Sequence, residues 1–233
     1  SEKNHSFALT YNFFAARFST SWTLRHSFTN NSIESVTTLV NDNDISGVKN
    51  PTGKMVNYDT YYNIGKTQTT SLSGYISWMI FKNTRLYMNT WVDYSDYNDR
   101  QSLHNYGWYG SLYMNLEQTL PKDWQISAGF SGWTSNPGLQ SKSQGNNYYS
   151  LSLRKSMLNK RLTISLFANN FLQKERRYKN TRHGSNFTYN SDFYQSAPNF
   201  GINLSLRLGE LTSGVKKAMK TIENDDVKSG NGK

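Results

Sequence analysis

The stretch NFGINLSLRL, residues 199–208, alternates between apolar side chains and polar or small ones. Its apolar members are Phe200, Ile202, Leu204, Leu206 and Leu208, and the other members are Gly201, Asn203, Ser205 and Arg207. Because successive side chains of a β-strand point to opposite faces, this period of two predicts a strand with one apolar face. The next residues, GELTSGVKKAMK, are polar and basic. The stretch therefore raises the question of which environment the apolar face meets.

The same alternation recurs along the chain and is the main structural signal in the sequence. It is clear in the sets Trp124, Ile126, Ala128 and Phe130, then Leu162, Ile164, Leu166 and Ala168, and then Leu86, Met88, Thr90 and Val92. We count about nine such strands, the first near residues 6–11 and the last at residues 199–208. The repeated pattern predicts an all-β, antiparallel protein.

Composition narrows the class of protein. Only 36% of the 233 residues are hydrophobic, and the mean hydropathy is -0.74. No apolar run approaches the roughly 20 residues of a spanning helix, which excludes a helical membrane protein. Aromatic residues reach 15%, a high fraction that fits β structure with one apolar and one wet face. The chain has no cysteine, so disulfides and thiolate metal sites are excluded.

Connection lengths separate two architectures that both alternate. Short turns are predicted at residues 12–14, 82–83, 121–123 and 159–160, and long polar loops at residues 41–54, 95–105, 135–147 and 173–198. Short and long connections alternate, which places all tight turns at one end of the sheet. This layout is typical of an up-and-down transmembrane β-barrel of the outer membrane. A soluble β-sandwich that binds carbohydrate or serves adhesion is the alternative, since its strands alternate as well.

Strand direction leads to a further expectation. With the tight turns in the periplasm, the first strand starts outside the cell, whereas single-chain bacterial barrels have an even strand number. Unpaired sheet edges in lipid cost several kcal/mol for each unsatisfied backbone group. We therefore expect the chain to be the C-terminal part of a larger barrel. The hairpin of residues 15–40 and 55–80 exceeds the roughly 9–11 residues that cross a bilayer, so it should project as a ribbon.

The alternation assigns residues to the two faces of the predicted barrel wall. The lipid-facing set is Leu162, Ile164, Leu166, Phe200, Ile202, Leu204 and Leu206. The lumen-facing set is Arg17, Arg25, Tyr75, Tyr87, Trp91, Tyr109, Tyr113, Glu117 and Arg207. Five tryptophans near strand ends or on the apolar face fit interfacial girdles; these are Trp22, Trp78, Trp108, Trp124 and Trp133. A hydrogen-bonded wall network remains the alternative role for the lumen-facing set.

Longer segments resemble a known family. The stretches YYNIGKTQTTSLSGYISW, GWYGSLYMNLEQTLPKDWQISAGFSGW and NKRLTISLFANNFL, with the closing NFGINLSLRLGELTSGVKKAMKTIENDD, are similar to the C-terminal barrel of TonB-dependent outer-membrane receptors. Within these receptors the resemblance is to the outer membrane protein β-barrel family, and it covers residues 6–226. The motif NxGK at residues 63–66 resembles the point where a strand of this family re-enters the membrane.

The resemblance implies a function and a set of partners. Such receptors are 22-stranded barrels with an N-terminal plug, and they import iron chelates, cobalamin, glycans or peptides with energy delivered through TonB. It implies a Gram-negative outer membrane, contact with its lipid and lipopolysaccharide, and a surface lipoprotein as a further partner. The plug and the TonB box are not in this sequence, so we expect the N-terminal barrel, the plug and the TonB complex to act from outside it.

The C-terminal residues form a second predicted unit. We divide the chain into a barrel segment, residues 1–209, and a periplasmic tail, residues 210–233. Apolar residues at helical spacing oppose three lysines within residues 214–223, which predicts a short amphipathic helix. An unstructured tail stays open, because so short a helix is marginal without packing.

The formal net charge of +10 suggests anionic neighbours. One predicted outer loop concentrates basic residues, namely Lys174, Arg176, Arg177, Lys179, Arg182 and His183. Arginine's planar fork suits phosphate, so we expect this loop to contact lipopolysaccharide or an anionic ligand. Nucleic acid is disfavoured, because the aromatic residues follow strand alternation instead of clustering with the charges.

Catalytic and metal motifs are missing from the sequence. It has no HExxH, GxSxG or P-loop. Asp93, Asp96, Asp99 and His104 lie near a predicted rim, where such charges are usually solvated. The stretch NDND at residues 41–44 lacks the glycine and distal glutamate of an EF-hand loop. We therefore expect neither an enzyme nor a metal or cofactor site.

Overall fold

The computed structural model describes residues 2–100 and 102–208, in which the chain forms thirteen β-strands and a short 3-10 helix at Asp42–Asp44. The strands are β1 Lys3–Phe14, β2 Phe18–Asn41, β3 Met55–Phe81, β4 Thr84–Asn98, β5 His104–Leu120, β6 Trp124–Trp133, β7 Asn136–Pro137, β8 Ser141–Ser143, β9 Asn146–Met157, β10 Leu162–Asn169, β11 Glu175–His183, β12 Thr188–Ser196 and β13 Asn199–Leu206.

Nine strands form one antiparallel sheet in the order β1-β2-β3-β4-β5-β6-β9-β10-β13. Each strand lies beside the next main strand along the chain, as in an up-and-down meander. The connections at one end are tight, residues 15–17, 82–83, 121–123 and 158–161. Those at the other end are residues 42–54, 99–103, 134–145 and 170–198. The predicted all-β antiparallel fold with alternating connections is confirmed. The first tight turn is at residues 15–17 instead of the predicted 12–14, because β1 stays paired with β2 as far as Phe14. Within the described residues β1 and β13 are edge strands, so the sheet is open.

The main sheet is a single layer. Among the described residues the buried hydrophobic side chains are Val36, Leu139 and Ala197. Leu204 and Leu206 are 67% and 56% exposed. A sandwich would bury one face of each sheet between two layers. The arrangement therefore does not match the two-layer alternative.

Two predicted loops are wrong in part, because they contain strands. Residues 135–147 include β7 and β8, and residues 173–198 include β11 and β12. These strands form a second sheet in the order β12-β11-β8-β7. Their sequences lack a purely apolar face, so the period-two signal of hydrophobicity did not mark them. The predicted loop at residues 95–105 is also shorter, since β4 and β5 leave only residues 99–103 between them.

The predicted ribbon is confirmed. Pairing with β1 stops at Asn30, and pairing with β4 starts at Lys66. Residues 31–41 and 55–65 therefore pair with each other beyond both neighbours. A bulge marks the junction, where the register shifts on either side of Ser32.

Gly65, in the NxGK motif, lies opposite this bulge. A Cβ atom at Gly65 would lie 2.1 Å from the Ser32 Oγ atom and 2.7 Å from Glu34 Cγ, so a larger residue would displace both side chains. The motif therefore lies where the paired strands β1 to β4 end and the two-stranded ribbon of β2 and β3 begins.

A second long hairpin is broken near its middle. Strand β10 leads into β11, and β12 leads into β13, so the two hairpins lie end to end. Asn170, 1% exposed with φ 46°, and Pro198 occupy the two breaks. The Ala197 N–H donates to the Lys174 carbonyl at 3.0 Å, so the two interrupted segments are hydrogen-bonded to each other.

The predicted tail, residues 210–233, and its helix lie outside the described residues. Within residues 2–100 and 102–208 no helix has the length and apolar character to cross a membrane.

Candidate functional site

One face of the main sheet is apolar across strand boundaries. A row of directly opposed residues runs from β2 to β13; its members are Phe18, Trp78, Leu86, Leu116, Ala128, Leu151, Ala168 and Phe200. The row starts at the tight-turn end of β2 and ends at the long-loop end of β13. Neighbouring strands are therefore staggered, as in sheets that close into barrels.

The predicted lipid-facing residues lie together on this apolar face. Leu206 lies opposite Leu162, Leu204 opposite Ile164, and Ile202 opposite Leu166. Phe200 extends the same row of β13 and is exposed. The structure thus groups the whole set, while its contact with lipid stays a prediction.

Most of the predicted lumen-facing residues share the opposite, polar face. Register places Arg25, Tyr75, Tyr87, Trp91, Tyr109, Tyr113 and Glu117 there. The other two lie outside the strands. Arg17 is in the tight turn before β2, and Arg207 follows the end of β13.

Near the tight turns, the polar face is a wall of mutually bonded side chains. Glu117 accepts hydrogen bonds from Asn115 Nδ2 at 3.0 Å and Gln125 Nε2 at 3.3 Å. Arg154 donates to Gln125 Oε1 at 3.4 Å. Polar groups in this part of the wall therefore satisfy one another, and Glu117 takes the wall-network role that the sequence left open.

Farther from the turns, the polar face carries an uncharged aromatic groove of about 430 Å³. We define the aromatic groove by four rings: Tyr75, Trp91, Tyr113 and Trp133. Trp91 lies between Ser73 and Ser111 on neighbouring strands. Tyr75 and Tyr113 flank Asn89 in the adjacent row. Rings thus alternate with small polar residues along each row, about 10 Å apart, which is two strand spacings.

Sequence reasoning missed Trp133 as a groove residue. The sequence prediction places it with the girdle tryptophans. The other four, Trp22, Trp78, Trp108 and Trp124, lie on the apolar face. Trp133 lies opposite Ser111 on the polar face, at the end of β6. Continuing the alternation past Ser131 would have found it.

Strand β11 separates the predicted basic cluster onto two faces. Arg177 and Lys179 share one face of the strand, and Arg176 and Arg182 share the other. Lys174 precedes the strand. The five cations therefore do not form one patch, although the sequence places them within nine residues.

Arg177 is held by an ion pair. Its Nε and Nη2 atoms donate to the two carboxylate oxygens of Asp192 at 2.8 and 3.0 Å. This hydrogen bonding raises the pKa of Arg177 and lowers the pKa of Asp192. Arg177 therefore connects β11 to β12 through Asp192. Its guanidinium also lies 5.9 Å from the Tyr194 ring centre.

Arg176 has a different environment. Its guanidinium lies 5.6 Å from the Tyr148 ring centre and 5.8 Å from that of Tyr178. Within the described part of the chain its buried Nε has no hydrogen-bond partner. Cation–π contacts of this type stabilise the charge without consuming its donors.

Side chains of two long connections form hydrogen bonds with the β2 backbone in the ribbon of β2 and β3. Thr37 N donates to Gln140 Oε1 at 2.7 Å, and Gln140 Nε2 donates to the Thr37 carbonyl at 3.0 Å. Both residues are buried. Asn186 Nδ2 donates to the Leu39 carbonyl at 2.9 Å, two residues farther along the same edge. Side-chain amides thus replace a neighbouring strand at this edge.

The residues considered for catalysis have separate structural partners. His104 Nε2 lies 3.0 Å from Asp96 Oδ1. Asp99 accepts backbone N–H groups of Ser102 and Leu103, both at 2.9 Å, and shapes its loop. Asp93 accepts the indole N–H of Trp91 and fixes that ring in the groove.

Comparison with known proteins identifies a family whose model covers most of the chain. The model of the outer membrane protein beta-barrel family matches residues 1–206. No curated protein and no solved structure matches the chain. The family implies residence in the outer membrane of Gram-negative bacteria. The chain, with its antiparallel meander and its one apolar face, belongs to the outer membrane protein beta-barrel family.

Proposed function

We propose that the chain forms part of the wall and the extracellular loops of a TonB-dependent receptor. The receptor imports a scarce ligand, such as a siderophore, cobalamin, a glycan or a peptide, across the outer membrane. The observation that carries the proposal is the continuous apolar face opposite a polar face, with every long connection at one end of the sheet. This is the arrangement of outer-membrane barrels.

The open edges support a larger barrel. Strands β1 and β13 have no outer partner among the described residues. In a nine-stranded antiparallel sheet both edge strands run in the same direction, so antiparallel closure takes an odd number of further strands. A parent barrel of about 22 strands meets this condition. In this proposal the remaining strands, the plug and the TonB contact come from outside the sequence described above.

The second sheet supplies the outer surface in this proposal. With Arg177 engaged by Asp192, the cations that remain for lipopolysaccharide phosphates or an anionic ligand are Lys174, Arg176, Lys179 and Arg182. Such contacts suit the planar guanidinium. A surface lipoprotein would meet the same loops, and the tail would lie in the periplasm.

A charge placed on the apolar face tests the membrane assignment. Leu204→Arg should reduce assembly into membranes, because arginine at the bilayer midplane of a barrel costs about 2–4 kcal/mol. Heat-modifiable migration and resistance to urea extraction report assembly. The matched control is Ser205→Arg, on the opposite face of the same strand.

Equal assembly of the two variants would refute the face assignment. A wild-type chain that is a soluble, cooperatively unfolding monomer without detergent would instead favour the soluble adhesion module. β-structure that forms only with detergent, lipid or a complementing fragment is the expected result.

A further inference from the structure

The aromatic groove differs from the rest of the molecule in charge. None of its lining residues is acidic, basic or histidine, although the chain carries a net charge of +10. An anionic ligand that enters this groove loses hydration and gains no ion pair, and the Asp93 carboxylate that is bonded to Trp91 would repel it. The lining therefore favours a neutral ligand over a ferric chelate or a phosphate ester.

The rings of the groove are accessible. Trp91 is 49% exposed and Tyr113 is 48% exposed. Their neighbours along each row are serines or Asn89, which are too small to cover the ring faces. Asp93 holds the indole N–H of Trp91, so this ring is fixed before a ligand arrives. Fixed rings reduce the entropy lost on binding.

Three polar side chains of the groove have no side-chain hydrogen-bond partner within the described residues. Within the described chain no side chain hydrogen-bonds the Tyr75 hydroxyl, the Tyr113 hydroxyl or the Asn89 amide. The wall near the tight turns behaves differently, because Glu117 and Gln125 are bonded to their neighbours there. The groove thus offers unused donors and acceptors beside exposed rings.

We propose that the aromatic groove binds a neutral carbohydrate. A sugar ring has a flat C–H face that packs on Trp or Tyr and a rim of hydroxyls that bond to Asn, Ser and Tyr. Rings repeated about 10 Å apart along a row suit a chain of several sugars better than a single one. The inference rests on the proposed receptor function and names its ligand class.

A glycan-binding measurement tests the site. The full chain, folded in detergent micelles, is presented to an array of neutral oligosaccharides, with oligogalacturonate, ferric citrate and an uncharged peptide as comparisons. We expect saturable binding of neutral sugars and weaker binding of the three comparisons. Trp91→Ala should weaken sugar binding about tenfold or more, the equivalent of about 1.4 kcal/mol. Circular dichroism checks that the variant folds.

Trp108→Ala is the matched control, because Trp108 is an exposed tryptophan on the apolar face of β5. It should leave sugar affinity unchanged within about twofold, a small effect on this scale. Tyr113→Phe removes only a hydroxyl, so it tests the polar half of the site if Trp91→Ala fails to fold. This variant should weaken binding while leaving the fold intact.

Two results would overturn the inference: no neutral sugar binds, or Trp91→Ala and Tyr113→Phe bind as tightly as the wild type. Preferred binding of the peptide would make the groove a surface for a protein segment and would also overturn it. Sugar binding by a chain that is soluble without detergent would support the carbohydrate site and contradict the proposed receptor function. Membrane assembly without sugar binding would refute only the carbohydrate.

Discussion

At the scale of single residues, Asp42 organises the tip of the ribbon. Its Oδ2 atom accepts hydrogen bonds from Thr52 N and Oγ1, both at 2.7 Å, and its Oδ1 accepts from Lys54 N at 3.1 Å. The Thr52 side-chain bond, followed by the backbone bonds, lowers the pKa of Asp42 from its ordinary value of 3.8. The ionised carboxylate therefore stabilises the tip more than the protonated acid does.

This shift gives the tip a defined pH dependence. Because the folded pKa lies below the unfolded one, the contribution is present above about 3.8 and is lost as the pH falls through the folded value. Amide exchange of Thr52 and Lys54, corrected for intrinsic rates, should accelerate in that acidic range. Asp42→Asn should exchange faster at neutral pH and lose the acid transition.

Asp44→Asn is the control for this experiment, since Asp44 is an exposed acid in the same short helix. It should keep the wild-type profile. An acid transition that persists unchanged in Asp42→Asn would assign the effect to another group.

For single residues, the sequence predicts which face of the sheet a side chain lies on. It does not predict which hydrogen bonds that side chain forms. The alternation that places Leu204 opposite the polar face also places Trp91 and Tyr113, because side-chain direction follows from chain position alone. The Asp42 bonds join residues ten and twelve positions apart across a turn. Nothing in the NDND stretch distinguishes the inward aspartate from its exposed neighbour.

At the scale of elements, two hydrogen bonds between Gln140 and Thr37 connect the loop after β6 to the ribbon. We call this pair of bonds the clasp. A primary amide can accept from the N–H and donate to the carbonyl of a single residue. The two residues are 103 positions apart, so the sequence contains no local signal of the contact. For the same reason strands β8 and β11 were missed, since their pairing partners are distant and their faces are polar.

Removal of the clasp should loosen the ribbon locally. Gln140→Ala leaves the buried N–H and carbonyl of Thr37 without their partners, at a cost of about 1–3 kcal/mol for each group. Hydrogen exchange at Thr37 should therefore accelerate by about tenfold or more. Gln140→Glu replaces the donor with a carboxylate oxygen that faces the Thr37 carbonyl, so it should not restore the wild-type exchange rate.

Gln144→Ala tests whether the effect is specific to the clasp, because Gln144 is an exposed glutamine of the same loop. Its exchange at Thr37 should match the wild type. Similar acceleration in both variants would mean that the loop as a whole, and not the amide pair, protects the ribbon.

At the scale of the whole molecule, the order of strands could be predicted because each main strand pairs with its neighbour along the chain. Turn length and alternation then suffice, with no crossover to resolve. What the sequence could not give is the second sheet that the long connections form across strand boundaries. That sheet and the ribbon bear the outer contacts of the proposed receptor.

The open edges predict how the chain associates when no further strand is supplied. Arg207 N donates to the Arg161 carbonyl at 2.8 Å, in register with the β10 and β13 pairs. Antiparallel bonds alternate along a strand, so the N–H groups of odd-numbered β13 residues point to β10 and that of Ile202 points to the open edge. Unpaired edges recruit other chains, and we expect wild-type oligomers in micelles.

Ile202→Pro should leave only the β1 edge and limit association to dimers, because proline removes a donor that β10 does not use. Asn203→Pro is the matched contrast: it removes a donor bonded to β10 and should lower the free energy of unfolding by about 1–3 kcal/mol. Analytical ultracentrifugation and urea unfolding in detergent separate the two effects. Higher oligomers that survive in Ile202→Pro with its β-structure intact would show that association does not run through β13, and the argument for strand completion at that edge would fail.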